Sequence, residues 1–143
     1  MEIKTTPEVD TLFTRYELLS AQFDYHAIAK LFGNKLIAAG PNGIQVHSNN
    51  FLTRWQFEKS MRNFYQKAGL TSMRVLRLRE NKLSEQYSFV TVSWSATFSK
   101  TYSQPLEFHI TYLVRKRNKK AEIVMYVAHE DEKKILQGYG IID

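Results

Sequence analysis

The fold is decided by three consecutive segments: YSFVTVSWSATFSK at residues 87–100, LEFHITYLVRKR at 106–117 and KAEIVMYVAHED at 120–131. Each is about twice as long as a usual strand of roughly five or six residues, which predicts a strongly bent sheet. Strand side chains alternate between two faces, and in the first two segments one alternating set is apolar. That set consists of Val90, Val92, Trp94, Ala96 and Phe98 in the first segment and Leu106, Phe108, Ile110, Tyr112 and Val114 in the second. One face of this sheet is therefore predicted to be buried.

Length and composition predict one domain over residues 1–143, large enough to enclose a pocket as well as a core. Hydrophobic residues at 43% and aromatic residues at 13% are typical of a globular protein and exclude disorder. No apolar run approaches the ~18 residues of a membrane span, and the opening residues are too polar for a secretory signal. The sequence therefore predicts a cytoplasmic protein without a membrane partner. It contains no cysteine, which excludes disulfides and thiol chemistry.

The net charge of +6 is concentrated in two segments, RVLRLRENK at residues 74–82 and RKRNKK at 115–120. The second segment surrounds a predicted turn at Asn118, so we interpret it as a solvated hairpin end. Nucleic-acid modules interleave exposed aromatic residues with their basic stripe, and neither segment contains one. A nucleic-acid partner is therefore disfavoured, while an adaptor that recognises an acidic partner through this basic edge stays open as a function.

Capping residues and apolar stripes with helical spacing predict three helices in the first half of the chain. They are a helix that begins at Thr6 and Pro7, a helix over residues 25–32 between Asp24 and Gly33, and a helix from Thr53 to Gly69. The segment KLIAAGPNGIQVHS at residues 35–48 predicts a small hairpin between the last two helices, because its Pro and Asn-Gly supply turn geometry.

Two further elements are predicted around the three long segments. From Thr71 the pattern alternates with period two, but neither face is cleanly apolar, which indicates an outer strand. At the other end, Asp131 is predicted to cap a short helix that begins at Glu132 and stops at Gly138.

This order of elements resembles the nuclear-transport-factor-2-like superfamily, a cone-shaped α+β fold that also houses ketosteroid isomerases, scytalone dehydratase and SnoaL-like cyclases. The resemblance rests on the apolar stripe of the first helix (Leu12, Phe13, Tyr16 and Leu19), on AIAKLFGNKL at residues 27–36, on the capped helix at Thr53 and on the ending YVAHED at 126–131. It implies a strongly curved, mixed but mainly antiparallel sheet wrapped around three helices of the N-terminal half, followed by a short C-terminal helix.

The resemblance also implies a ligand pocket and a homodimer. The implied pocket is lined by Tyr16, Phe57, Met61, Phe64, Trp94, Phe108, Ile110 and Tyr112. Large apolar side chains at such spacing usually fill a core, but the buried polar tips of Tyr16, Trp94 and Tyr112 need partners, and a ligand is one possible partner. The implied dimer forms through the outer sheet face, with Thr91, Ser93, Ser95, His109 and Thr111 in the interface.

Candidate catalytic groups are scarce in the sequence. Isomerase-like members of the superfamily often place an acid after the second helix, where this chain reads Gly33-Asn34-Lys35, and the inward positions of the long strands contain no Asp or Glu before the end of the sheet. His109 lies on the polar face, and His129 ends the last strand, so no pair has metal-ligand spacing. We therefore predict no metal site and no cofactor, and the catalytic residues stay unknown.

These observations leave three functions open. The first is a dimeric module that holds a hydrophobic small molecule in an apolar cone without strong catalysis, which the missing acid favours. The second is a SnoaL-like isomerase, cyclase or dehydratase acting on a hydrophobic carbonyl compound through Tyr16, Trp94 and a histidine. The third is the partner-binding adaptor with the basic edge.

Overall fold

The computed structural model describes residues 5–101 and 104–143. Its elements, in chain order, are α1 (Pro7–Ala21), α2 (Tyr25–Ala29), β1 (Phe32–Gly40), β2 (Gly43–Ser48), α3 (Phe51–Ala68), β3 (Leu70–Lys82), β4 (Tyr87–Phe98), a short 3-10 turn (Ser99–Thr101), β5 (Pro105–Arg117), β6 (Lys120–Ala128) and α4 (Glu132–Gly138). The predicted order of two helices, a hairpin, a third helix and a run of long strands is thereby confirmed.

The six strands form one sheet in the order β2-β1-β6-β5-β4-β3. All neighbours are antiparallel except β1 and β6, which are parallel. Irregularities in register interrupt the β1/β6, β3/β4 and β5/β6 pairings, and such bulges bend a strand and increase its twist. The mixed, mainly antiparallel and curved α+β sheet predicted from the sequence is confirmed. β3 lies at one edge, as its mixed faces indicate.

The main core lies between α1 and the concave face of β4 and β5. Val90, Val92, Ala96 and Phe98 are fully buried in β4, and Tyr112 and Val114 are buried opposite them in β5. From α1, Val9, Leu12 and Phe13 pack onto this face. The alternation of apolar and polar residues in the two strands thus gives the sheet one buried face, because every second side chain of a strand points to the same face.

Two predicted helix boundaries are wrong. The second helix ends at Ala29 rather than at residue 32, because Phe32 already belongs to β1 and pairs with Ile123 of β6. The third helix begins at Phe51 rather than at Thr53. Asn50, three residues before Thr53, caps it, because its side chain accepts a hydrogen bond from the Thr53 backbone N–H at 2.9 Å.

Other helix ends were predicted correctly. Asp24 caps α2 and Asp131 caps α4, each through a backbone N–H three residues later. Gly69 ends α3 with a left-handed φ of 79°, which glycine adopts without strain. Within the described residues, none of the helices combines the length and the apolar character needed to cross a bilayer.

Candidate functional site

Two cavities lie against the concave face of the sheet. The inner cavity has a volume of about 80 Å³ and is lined by Tyr16, Ser20, Tyr65, Met73, Trp94, Phe108, Ile110, Tyr112 and Glu132. The outer cavity has a volume of about 270 Å³ and is lined by Ala29, Phe32, Leu36, His47, Asn49, Thr53, Arg54, Gln56, Phe57, Ser60 and Tyr126. The inner cavity has room for only a few water molecules. The outer one is close to the ~300 Å³ at which small-molecule pockets begin.

Four aromatic rings, which we call the aromatic wall, separate the cavities: Tyr16, Phe32, Tyr112 and Tyr126. Their ring centroids are 6.3 Å apart for Phe32 and Tyr126, 6.3 Å for Tyr16 and Phe32, 6.4 Å for Tyr112 and Tyr126 and 6.0 Å for Tyr16 and Tyr112. Phe32 and Tyr126 face the outer cavity, whereas Tyr16 and Tyr112 face the inner one. A ligand that reached both cavities would have to displace at least one of these rings.

The buried polar tips of Trp94 and Tyr112 satisfy each other. The Trp94 indole Nε1–H donates to the Tyr112 hydroxyl oxygen at 3.0 Å. Burial raises the pKa of Tyr112 well above its ordinary value, and burial likewise raises the pKa of Tyr16, with an interaction from the Tyr112 hydroxyl opposing it. Both hydroxyls therefore stay protonated at neutral pH. Trp94 has an internal partner and does not depend on a ligand for its hydrogen bond.

A carboxylic acid lies in the inner cavity, contributed by Glu132 at the first position of α4. The Tyr65 hydroxyl donates to Glu132 Oε1 at 2.9 Å. Burial raises the pKa of the Glu132 carboxyl above its ordinary value, and the bond from Tyr65 only partly opposes this. Burial and the nearby Glu132 charge together raise the pKa of Tyr65. A carboxyl whose pKa moves toward neutrality inside a cavity is a candidate acid or base.

The sequence did not reveal this acid, because Glu132 follows the capping residue Asp131. An acidic residue in the first turn of a helix already has an ordinary explanation, since it interacts favourably with the helix dipole. The expectation that the inward positions of the long strands carry no acid concerns the sheet alone, and Glu132 lies beyond it, at the start of α4. The helical spacing of Tyr65 indicates only an apolar stripe of its helix, although its hydroxyl needs a partner when buried.

The structure brings five of the eight predicted pocket residues together at the inner cavity: Tyr16, Trp94, Phe108, Ile110 and Tyr112. Phe57 lies apart from them at the outer cavity. Met61 packs against the buried cluster of Leu19, Tyr25 and Ile28, and Phe64 packs against the cluster that contains Ala68 and Phe98. Met61 and Phe64 therefore fill the interior, while the other six face one of the two cavities.

The outer cavity combines an apolar lining with one cation. Arg54 lies in the first turn of α3, and its Nη1 donates to the backbone oxygen of Asn49 at 3.1 Å. Among the residues that the structure describes, Arg54 Nε is the one buried side-chain nitrogen or oxygen without a hydrogen-bond partner. Sequence reasoning missed Arg54, because an arginine in the exposed-looking TRWQ run after a hairpin gives no signal of burial.

Two further depressions lie elsewhere on the molecule. One, of about 440 Å³, runs along α1 and the start of β3 and includes Glu17, Leu18 and Arg74. The other, of about 300 Å³, lies beside Phe23 and Arg62. Neither is bounded by the aromatic wall, and neither contains a buried polar atom without a partner among the described residues. The outer cavity is therefore the better candidate site.

The predicted dimer residues form a polar row across the outer sheet face. Thr91 and Thr111 are paired in register and their hydroxyls lie 3.0 Å apart, and the Thr111 hydroxyl is 2.7 Å from His129 Nε2. Ser93 lies opposite His109, and Ser95 opposite Glu107. The row therefore places all five predicted residues on adjacent positions of β4 and β5.

His109 in this row lies between two carboxylates. Its Nδ1 is 2.7 Å from Glu130 and its Nε2 is 2.9 Å from Glu107. Hydrogen bonding to Glu130 first, and to Glu107 next, raises the pKa of His109 above its ordinary value. The imidazolium form, which donates from both nitrogens, is therefore favoured there.

The basic turn at residues 115–120 is less solvated than its sequence indicates. Arg115 pairs with Glu122 across the hairpin. Lys116 is buried, and its Nζ lies 3.3 Å from Glu80 Oε2. The prediction of a fully solvated hairpin end is thus wrong for Lys116, because β5 turns that side chain toward the interior. The charge available to an acidic partner is correspondingly smaller.

Comparison with known proteins identifies the fold. A family model described as "NTF2-like protein (DUF6841)" matches residues 7–131. Among curated proteins, none matches this sequence.

Solved structures agree with this assignment. An NTF2-like protein of unknown function from Shewanella oneidensis has a similar structure, with a TM-score of 0.65 and 16% sequence identity. The matched region covers 86% of this chain and 97% of the Shewanella protein. A protein of unknown function with a cystatin-like fold from Nostoc punctiforme has a TM-score of 0.65 at 16% identity over 92% of this chain and 96% of its own. A ketosteroid isomerase-like protein from Erwinia carotovora atroseptica has a TM-score of 0.60 at 13% identity. The matched region covers 85% of this chain and 92% of the Erwinia protein. At such identities these likenesses show the fold alone.

Proposed function

The chain belongs to the NTF2-like family whose model matches residues 7–131, and on that premise we propose that it is a binding module that holds a hydrophobic small molecule in its cone without strong catalysis. The ligand would occupy the outer cavity, with its apolar body against Phe57 and the Phe32 and Tyr126 faces of the aromatic wall. One observation carries this proposal: a cavity of about 270 Å³ with a mainly apolar lining lies directly against the closed, aromatic interior.

The size of the two cavities favours binding over chemistry. The inner cavity, with its acid, has only about 80 Å³, so a ligand that fills the outer cavity stays on the far side of the aromatic wall from Glu132. Calorimetric titration with the neutral probe 3-phenylpropanamide tests the proposal. We expect saturable binding with a negative heat-capacity change, as burial of apolar surface produces. Absence of any saturable signal up to the solubility limit of the probe would show that the cavity holds no such ligand.

The buried Glu132 favours a second function, an isomerase, cyclase or dehydratase acting on a hydrophobic carbonyl compound. In this alternative Glu132 would exchange a proton with the substrate, and Tyr65, 2.9 Å away, would hold its carboxyl in place. This function requires the aromatic wall to open, because a reacting carbon has to come within about 3 Å of the carboxyl.

Replacement of Glu132 by glutamine separates the two functions. If the protein is an enzyme of this kind, it should catalyse exchange of the α-protons of 2-tetralone with deuterated water, and Glu132→Gln should slow that exchange by about 10²-fold or more. Exchange is followed by proton NMR, with Glu122→Gln as a control outside the cavity. A wild-type rate equal to that of buffer would rule the second function out and leave the binding module.

We also propose that two copies associate through the polar row of Thr91, Ser93, Ser95, His109 and Thr111. The row is polar, and its Thr91 and Thr111 hydroxyls are hydrogen bonded to each other, as groups in a wet dimer interface are. Sedimentation should give a dimer at micromolar concentration for the wild type and a monomer for Thr111→Arg, since two buried arginines would repel each other. A monomeric wild type at that concentration would contradict the proposal.

A further inference from the structure

The guanidinium of Arg54 is fixed at the rim of the outer cavity by its neighbours. Its Nη1 donates to the backbone oxygen of Asn49. The side chain of Asn49 in turn donates to the backbone oxygens of Ala29 and Phe32, each at 2.9 Å. Asn49 therefore joins the end of α2 and the start of β1 to the beginning of α3, and Arg54 is held in one place by this junction.

The Nε–H of the same guanidinium has no acceptor although it is buried. Buried polar atoms are almost always hydrogen bonded, and an unpaired donor on a charged group is especially unfavourable. Arg54 also lines the outer cavity, so the guanidinium that carries this unpaired donor is the charged group of that cavity.

The charge of Arg54 is also uncompensated within the described residues. None of the ion pairs there includes Arg54, and none of the residues that line the outer cavity is acidic. The closest acid along α3, Glu58, is already paired with Arg62 at 2.7 Å. The cavity thus combines apolar walls with one unpaired cation.

We propose that the ligand of this cavity is an amphipathic monocarboxylate whose carboxylate pairs with the Arg54 guanidinium. The proposal rests on the proposed binding function and adds the chemical class of its ligand. A carboxylate fits better than a phosphate, because one cation neutralises a single negative charge and leaves a dianion uncompensated. The apolar part of the ligand lies between Phe57 and Tyr126, and a phenyl ring with a short chain matches a cavity of about 270 Å³.

A pair of isosteric probes tests this inference. Calorimetry measures the affinities of 3-phenylpropanoate and 3-phenylpropanamide for the wild type, for Arg54→Gln and for the control Lys67→Gln. Lys67 lies on the same helix, is exposed and lines none of the cavities described above, so its replacement removes an equal charge away from the site. We expect the wild type and Lys67→Gln to prefer the carboxylate by about tenfold or more, as a hydrogen bond to a charged group implies.

Arg54→Gln should lose that preference and bind the amide within about twofold of the wild type, because its apolar walls are unchanged. If Arg54→Gln fails to fold, Arg54→Lys serves instead. It keeps the charge, loses the Nε–H, and should weaken carboxylate binding by severalfold.

Three results would overturn the inference. Equal wild-type affinities for the two probes would show that Arg54 does not select a carboxylate, while the binding function would stand. If a folded Arg54→Gln loses affinity for both probes equally, Arg54 only supports the structure. Absence of binding by either probe to the wild type would remove the proposed function itself, and this inference with it.

Discussion

Replacing Glu80 with alanine is expected to lower the free energy of unfolding by about 3–5 kcal/mol, because it leaves a buried ammonium group without its partner. Glu80 is 3% exposed and Lys116 is 9% exposed. The carboxylate accepts from Ser88 at 2.5 Å, from the Thr6 backbone N–H at 2.7 Å and from Lys116 Nζ at 3.3 Å. Denaturant unfolding of the wild type and of Glu80→Ala measures the difference.

Two controls show whether burial is the cause. Glu85→Ala removes an exposed carboxylate that pairs with Lys82 in the neighbouring turn, and its effect should stay below about 1 kcal/mol. The double replacement Glu80→Met with Lys116→Met should recover most of the lost stability, since an apolar pair of similar volume needs no compensation. A cost below about 1 kcal/mol for Glu80→Ala would contradict a desolvated pair.

The same carboxylate makes stability depend on pH. Burial disfavours its charged form, but the hydrogen bonds from Ser88, Thr6 and Lys116 outweigh burial and lower the pKa of Glu80 below its ordinary 4.5. The stabilisation is therefore present above about pH 4.5 and is lost as the pH falls through the lower pKa of the folded state. Glu80→Gln should be less stable at neutral pH, and the difference from the wild type should shrink on acidification. The raised pKa of Glu132 has the opposite effect on the pH dependence of stability. Because Glu132 is present in both proteins, its effect cancels in the difference between them.

Replacing Leu36 with tryptophan is expected to abolish probe binding, because Leu36 lines the outer cavity and an indole ring there takes the place of the ligand. Ile37→Trp is the matched control. Neighbouring side chains of a strand point to opposite faces, and Ile37 is 37% exposed and does not line the cavity.

Calorimetric titration of 3-phenylpropanoate into both variants provides the measurement. Wild-type affinity in Leu36→Trp would mean that the probe binds elsewhere. Loss of binding in a folded Ile37→Trp would mean that a tryptophan anywhere on β1 disturbs binding, so that the effect of Leu36→Trp could not be assigned to the cavity.

The sequence predicted the parts of this fold that depend on local pattern. The strict alternation around Val92 and Tyr112 identified the buried face of β4 and β5, since that pattern needs no knowledge of partners. Asp24 and Asp131 mark the beginnings of their helices and Gly69 marks the end of its helix where expected, because caps act within a few residues.

Boundaries that depend on distant contacts could not be predicted in this way. Phe32 has a helix-compatible spacing, and its strand conformation arises from parallel pairing with β6, about ninety residues further on. Asn50 and Thr53 both offer acceptable caps, and the local sequence does not say which one the preceding hairpin brings into place.

Of the residues that line the outer cavity, the predicted pocket included only Phe57. Trp94, Phe108 and Tyr112 are inward by alternation, and they meet at the inner cavity instead. Glu132 and Arg54 both lie in the first turn of a helix, where a charged residue usually faces solvent. Their partial burial depends on how α3 and α4 close over the sheet, which no periodicity encodes.

A crystal structure grown with 3-phenylpropanoate shows directly where a hydrophobic ligand binds. We expect density for the phenyl ring between Phe57 and Tyr126, in the outer cavity, with the aromatic wall closed behind it. Well-resolved density for the probe at another place, such as the depression along α1 and β3, or an outer cavity closed by its own side chains, would contradict this expectation.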